Sequence, residues 1–423
     1  MDRQKLRGVL EKAVVAVTVA AVCAGVFTLG YFTKVWTTPP IMRELEYVLE
    51  MIEENYIGEF DREAFIAAAV RGTLDRYSAY YTPSEYDEIE LSRDGISTGR
   101  LGLSFSGDSP KVVSVSGNSP AERAGIEVGD VITGIKVDGG EYTPVEKYSQ
   151  FNAVCAGIGK EVPFTIRING ADGEREYVIQ KEDFIESYVW YQDSLGSYNC
   201  TKRDGAWVLS KREKPLKTQI KSGFCYIKLS SFNGAAAEQI RAALGMMKQN
   251  GIKKAVLDLR GNGGGYMDIL TDIAGCFIPG KNKQLVTEVI YKSGKTYGFY
   301  TEKNSYSDYS FESITVLCNG GTASASEALI GAMLDYDESH GKNIVRVIVS
   351  KNGALESTYG KGIMQTTFTY SSGSAIKLTT AKIFWPVSGT CIHGAGISEK
   401  TDERVTAVSV SATEDAELNF ALS

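Results

Sequence analysis

Lys254-Ala-Val-Leu-Asp-Leu-Arg-Gly-Asn-Gly-Gly-Gly265 is a short, nearly all-apolar run that ends in an arginine and a cluster of glycines. A strand that is apolar on both sides reads as one buried on both faces, the signature of a parallel sheet covered by helices. Upstream, Phe224-Cys-Tyr-Ile-Lys-Leu229 reads as a second strand and Ala235 to Lys248 as the helix between them. Downstream, Ile314-Thr-Val-Leu-Cys318 is a third apolar strand, running into Asn319-Gly-Gly and then small residues. Strands alternating with helices argue for an α/β core spanning 222–400. The last twenty residues read as a strand and a terminal helix.

Before this core the pattern changes. Residues 98–183 alternate apolar and polar positions, with strands expected at Val112 to Val115, Val131 to Val137 and Phe164 to Ile168. Ser119-Pro-Ala-Glu-Arg-Ala-Gly125 reads as a short helix, with Ser119 as N-cap, Pro120 first in the helix and Gly125 as stop. This is a small β-rich domain. Residues 184–221 are rich in Tyr, Lys and Ser and read as a strand or two and a linker. Residues 42–91 carry Met42, Leu45, Val48, Leu49, Ile52 and Tyr56 at helical spacing, and Phe65 to Leu74 repeat the pattern.

The N-terminus differs again. Residues 13–33 contain no charge and are bounded by Lys12 and Lys34. As a helix the run is about 31 Å long at ~1.5 Å per residue, matching a bilayer core. Arg3, Lys5, Arg7 and Lys12 precede it, which keeps the short N-terminus cytoplasmic and sends everything after residue 36 outside. The alternative, a cleaved signal peptide, fits less well because the apolar run exceeds a typical signal core.

Composition narrows the chemistry. The net charge of −7 argues against nucleic-acid binding, which needs a basic surface. Seven cysteines without a CxxC pair, and only His340 and His393, leave no metal-binding spacing and imply no metal or other cofactor. A hydrolase here needs one of two histidines or another base.

Three stretches offer chemistry. The Gly263-Gly264-Gly265 turn can present N–H groups to an anion or supply part of an oxyanion hole; the plainer reading is a tight strand-to-helix turn. In Gly320-Gly-Thr-Ala-Ser-Ala-Ser-Glu327, Ser324 or Ser326 stands at a helix start, where free N–H groups favour developing negative charge. This follows the logic of a nucleophile elbow, although a serine there can also simply cap the helix. In Tyr359-Gly-Lys-Gly-Ile-Met-Gln365, Lys361 is pinned between glycines and Gln365 falls on the same strand face. A lysine acts as base only when its pKa falls well below ~10.4.

These stretches, in this order, resemble the carboxy-terminal processing (tail-specific) proteases, a family of Ser–Lys serine peptidases with a PDZ domain. The family's Gly-Ser-Ala-Ser-Ala-Ser-Glu is matched by residues 321–327, its Phe-Gly-Lys-Gly-x-x-Gln by 359–365 and its Asp-Leu-Arg-x-Asn-x-Gly-Gly by 258–265. Leu74-Asp-Arg-Tyr-Ser-Ala-Tyr-Tyr-Thr-Pro83, Leu378 to Lys382 and Ile392 to Ile397 resemble further family segments. Leu101-Gly102-Leu103 resembles a PDZ carboxylate-binding loop, and Ser119 to Asp130 the family's PDZ turn. The resemblance implies Ser324 as nucleophile, Lys361 as general base and Gln365 as its orienting partner. It also implies an oxyanion hole from Gly263 or Gly264 with the Ser324 N–H. Asp335 matches an acidic family position but reads as structural. Thr322 replaces the usual serine, Ser398-Glu-Lys400 replaces x-Pro-Asp, and the interval from Asp335 to Lys361, containing His340, is longer than expected.

The expected organisation is therefore an α/β (α+β) multidomain chain. It comprises a cytoplasmic tail at 1–11, a transmembrane anchor at 12–36, a helical region at 40–91 and a PDZ-like domain at 92–183. A connecting segment at 184–221, a Ser–Lys protease core at 222–400 and a tail at 401–423 complete it. The expected function is a single-pass, cell-membrane endopeptidase with its catalytic domain outside. It cleaves proteins near exposed C-termini or in unstructured segments, gated by its PDZ domain. The partners are protein or peptide substrates, the membrane and a possible second copy. The alternatives are an inactive PDZ adaptor, which has no need of Ser324 and Lys361, and a sugar- or lipid-modifying hydrolase, which needs a carboxylate pair or site histidine.

Overall fold

The computed structural model describes residues 39–137, 139–171, 173–212 and 218–423, together with Val22 and Val26. The apolar run expected to span a membrane lies, but for those two valines, outside the described residues. Among the described residues no helix is long and apolar enough to cross a membrane.

The chain divides into two units, Met1–Leu74 and Asp75–Ser423. In the first, helices Pro40–Asn55 and Arg62–Thr73 follow the expected periodicity. Asp61 caps the second by accepting from the Glu63 and Ala64 N–H groups, at 2.8 and 3.2 Å.

The second unit is built on an eight-stranded sheet. Its parallel half runs Phe224–Leu229, Lys254–Asp258, Ser313–Cys318, Val345–Lys351 and Val405–Ser409. The sheet is covered on both faces, as the apolar strands demand. Ala255 and Leu257 join the large core beneath helices Ala236–Gln249, Met267–Phe277 and Ala325–Ser339. Val256, on the opposite face, packs with Leu317, Ile348 and the C-terminal residues Leu418, Ala421 and Leu422.

Two expectations are corrected and a third is met. Residues 184–221 are more than a connecting segment: Val189–Asp193, Gly196–Arg203 and Ala206–Lys211 add three antiparallel strands to the main sheet. The sequence hid them because the first buries the polar Gln192 and Asp193 and the other two have mixed, partly buried faces. The long interval after Asp335 is no loop; it holds the end of the Ala325–Ser339 helix and the core strand Val345–Lys351. Residues 401–423 hold the expected strand and terminal helix: Val405–Ser409 closes one edge of the sheet and Ala416–Ala421 covers one face.

A second sheet carries the lysine. Ile363–Thr369 pairs with Ala375–Phe384, which pairs in turn with Leu285–Tyr291 and with Ala79–Tyr81. That last strand was hidden in a stretch expected to be helical. Ser78 anchors it, its hydroxyl accepting from the Thr379 N–H at 3.2 Å. The helix Pro83–Arg93 follows, closed by a Thr82–Glu85 capping box.

Residues 96–185 form a β-rich subdomain with its own core, including Val112, Ile132, Ile135, Ile166 and Ile168. Its central sheet joins Val131–Val137, Phe164–Gly170 and Gly173–Ile179. The short helix Pro120–Ala124 has the Ser119 cap and left-handed Gly125 that its sequence predicts.

Candidate active site

Two parallel strands, Lys254–Asp258 and Ser313–Cys318, end side by side, and the turns leaving their carboxyl ends are laced together. Asn319 Oδ1 accepts from the Gly261 and Gly321 N–H groups, each at 2.9 Å. Thr322 Oγ1 donates to the Leu259 carbonyl at 2.8 Å, which accounts for a hydroxyl at that position. The Asn262 carbonyl accepts from the Ala323 N–H and the Ser326 hydroxyl, each at 3.0 Å. Ser326 is thereby buried and committed, and Ser324 is left as the half-exposed serine.

Ser324 occupies φ 58°, ψ −117° at the start of the Ala325–Ser339 helix. A positive φ in a residue with a β-carbon is strained and has to be held by its surroundings. The hold comes from Glu327, whose Oε2 accepts from the Ser324 N–H at 2.9 Å. Opposite lies Gly264, at φ 102°. A β-carbon there would sit 2.9 Å from the Ala325 nitrogen and 2.9 Å from the Ser324 β-carbon, so only glycine fits against the serine.

Glu327 is fully buried and reaches the lysine turn as well. Its Oε2 accepts from the Lys361 N–H at 2.9 Å, and its Oε1 from the Gly360 N–H at 2.8 Å and the Thr358 hydroxyl at 2.5 Å. Burial raises this carboxyl's pKa, while the four donors oppose the rise. All four donate, so only the acceptor-only carboxylate satisfies them together. One side chain thus fixes the backbone of both expected catalytic residues. Glu327 was quoted as part of a matching motif but given no role; its position three residues after the serine, a capping spacing, was the available signal.

Lys361 is half-buried. Its flanking glycines are required by close packing: β-carbons at Gly360 and Gly362 would stand 2.8 and 2.7 Å from the nitrogens of Gly396 and His393. Burial, with the Lys377 charge adding to it, lowers the lysine's pKa, against the opposing pull of Glu327 and Asp75. The ammonium lies 4.9 Å from the centroid of the Tyr77 ring. Tyr77 belongs to the segment before the strand Ala79–Tyr81, where no local pattern points to a lysine as neighbour.

Other expected residues stand differently. Among the described residues no hydrogen bond joins Lys361 to Ser324 or to Gln365. A bulge between Met364 and Gln365 shifts the register, and the Gln365 amide donates to Thr379 Oγ1 at 3.2 Å. The Gly264 N–H is occupied by Asn262 Oδ1 at 2.9 Å and the Ser324 N–H by Glu327, so neither is free for an oxyanion in this arrangement. The N–H of Gly263 makes no hydrogen bond among the described residues, and that of Ala325, first in its helix, has no intrahelical acceptor. Asp335 caps the turn at Val387 and Ser388, accepting from both N–H groups at 2.9 Å, a structural role. His340 is a helix C-cap. Leu101 is buried, Leu103 opens a strand paired with Val112–Val115, and Gly102 joins them at φ 79°.

Residues 223–402 match the model of Peptidase family S41. The chain is 30% identical over 366 residues to a probable CtpA-like serine protease of Staphylococcus aureus (strain N315), covering 84% of this chain and 63% of that protein. A probable CtpA-like serine protease of Staphylococcus saprophyticus is 29% identical over 364 residues, covering 84% and 64%. The chain therefore spans slightly under two thirds of these relatives' length. Among solved structures, a putative S41 protease from Bacteroides fragilis NCTC 9343 matches with a TM-score of 0.50 at 15% identity, over 87% of this chain and 90% of that one.

Proposed function

From the match of residues 223–402 to Peptidase family S41 we propose that the chain is a C-terminal processing serine protease of that family, a membrane-anchored endopeptidase acting through Ser324 and Lys361. The observation that carries this reading is the Glu327 carboxylate, which binds the strained Ser324 and the half-buried Lys361 into one unit. A capping serine and a surface lysine need no such tie.

In the proposed reaction the neutral Lys361 amine takes the Ser324 hydroxyl proton as Oγ attacks the scissile carbonyl. The developing oxyanion is received by the Ala325 N–H, with Gly263 opposite. Both glycines of the Gly263–Gly264 pair contribute, Gly263 as donor and Gly264 by making room. Lys361 then protonates the leaving amine, and water releases the acyl group. No metal or cofactor takes part in this scheme. The apolar run at 13–33 supplies the anchor and places the catalytic unit outside the cell membrane. The β-rich subdomain acts as a PDZ module, with Leu101, Gly102 and Leu103 receiving an exposed C-terminal carboxylate and gating access to Ser324.

The test is cleavage of β-casein by the full chain in detergent beside Ser324→Ala. Wild-type cleavage that the variant loses, on the order of 10⁴-fold or more, with an unchanged melting temperature, supports the reading. Equal activity in both removes Ser324 as nucleophile. Inert wild-type protein whose Ser324 resists a fluorophosphonate identifies the chain as an adaptor.

A further inference from the structure

We propose that Arg76 binds the terminal carboxylate of the peptide fragment that leaves Ser324, an inference that rests on the serine-protease reading above. The segment Asp75-Arg-Tyr-Ser78 is a built turn. Asp75 Oδ1 accepts from the Tyr77 and Ser78 N–H groups, at 2.8 and 3.0 Å. Ser78 ties the turn to the strand Ala375–Phe384.

From this base Arg76 extends over two aromatic rings. Its guanidinium carbon lies 5.0 Å from the Tyr77 centroid and 5.3 Å from that of Tyr359. Its Nη2 donates to the Tyr77 hydroxyl at 2.8 Å, and the two tyrosine hydroxyls are 3.2 Å apart. The side chain is exposed, and among the described residues it has no carboxylate partner. A solvated surface arginine has no use for such fixing. An arginine with its rotamers already restrained, and most of its donors open, is prepared for a planar anion such as a carboxylate.

The position assigns the anion. The base that takes the serine's proton also returns it to the leaving amine, so the leaving fragment lies on the lysine's side of the serine. The Lys361 ammonium and the Arg76 guanidinium stand 4.9 and 5.0 Å from the centroid of the same Tyr77 ring. The two cations therefore lie within about 10 Å of each other, the reach of about three extended residues at roughly 3.3 Å each. Lys377, charged and close enough to perturb Lys361, adds to the same positive field. Arg76 thereby favours cuts a few residues from a chain end, separately from carboxylate capture at 101–103.

The experiment maps β-casein cuts by mass spectrometry, then synthesises a peptide ending three residues beyond one of them, as free acid and as amide. Wild type is expected to prefer the acid by about tenfold in kcat/KM, and Arg76→Gln to reduce the ratio to near one with the amide rate unchanged. The idea is overturned if Arg76→Gln slows acid and amide alike, which makes the residue a prop for the tyrosines. It is equally overturned if wild type shows no preference, or if the preference survives Arg76→Gln. Fluorophosphonate labelling of Ser324 reports on the protease reading independently, so an absent preference with intact labelling sinks only the anchor.

Discussion

The serine side and the lysine side of this site, proposed nucleophile and proposed base, are built in opposite ways. Around Ser324 almost every polar group is committed: Asn319, Thr322, Asn262 and Ser326 lace two turns together, and Glu327 holds the strained serine. Around Lys361 the backbone and the Arg76–Tyr77–Tyr359 cluster are fixed, but the ammonium itself makes no hydrogen bond among the described residues. The ammonium faces an aromatic ring, Gln365 is bonded elsewhere and Arg76 and Tyr359 are exposed. The serine's strain requires a rigid frame, whereas a lysine base requires desolvation, which an arriving substrate can complete, to hold a lowered pKa. A serine protease that must wait for its substrate can thus be preformed at the nucleophile and completed at the base. Glu327 is where the two halves meet.

That contrast can be broken by mutation. Lys361→Ala is expected to lower kcat/KM by about 10²- to 10⁴-fold, the range of a lost general base, and to slow fluorophosphonate labelling of Ser324 in parallel. Labelling at the wild-type rate refutes the lysine's role. Glu327→Gln comes next. It turns an amide donor towards groups that all donate, so activity should fall about 10²-fold through misplacement, with stability reduced by about 2 kcal/mol. Thermal melting and initial rates check the pair, and an active variant of unchanged stability shows that the halves are not joined there.

Smaller effects sharpen the comparison. Gln365→Ala should change kcat/KM less than about tenfold, because its hydrogen bond runs to Thr379 and is worth about 1 kcal/mol. A larger loss means that the base side rearranges on binding to bring Gln365 to the lysine. The smallest effect is in the pH profile. Activity should rise with pH through the Lys361 pKa, which lies below the ordinary lysine value because burial and Lys377 disfavour the charged form. Lys377→Gln removes that like charge, so the rising limb should move to higher pH, by ~1 unit or less. A shift to lower pH contradicts the assignment.

The difference between the halves also explains what was legible. Asn262, Gly264, Thr322, Ser324 and Glu327 come from two stretches whose residue types announce a tight turn and a helix start. The base side draws on Asp75, Arg76, Tyr77 and Tyr359, and the two tyrosines that meet are 282 residues apart. The strand Ala79–Tyr81 has three residues, too short for any period to show, and Val189–Lys211 lacks the clean alternation of a half-buried sheet.

The sequence alone determined the α/β alternation, the β-rich insertion and the glycine, serine and lysine that the proposed chemistry uses. These follow from local rules: side-chain period, capping preference and the backbone freedom of glycine. The tertiary structure decided which N–H groups carry no hydrogen bond among the described residues, that Glu327 grips both halves and that Arg76 lies over the same tyrosine ring as the lysine. Each depends on distant segments meeting within hydrogen-bond or ring-contact distance, and no local pattern encodes that meeting.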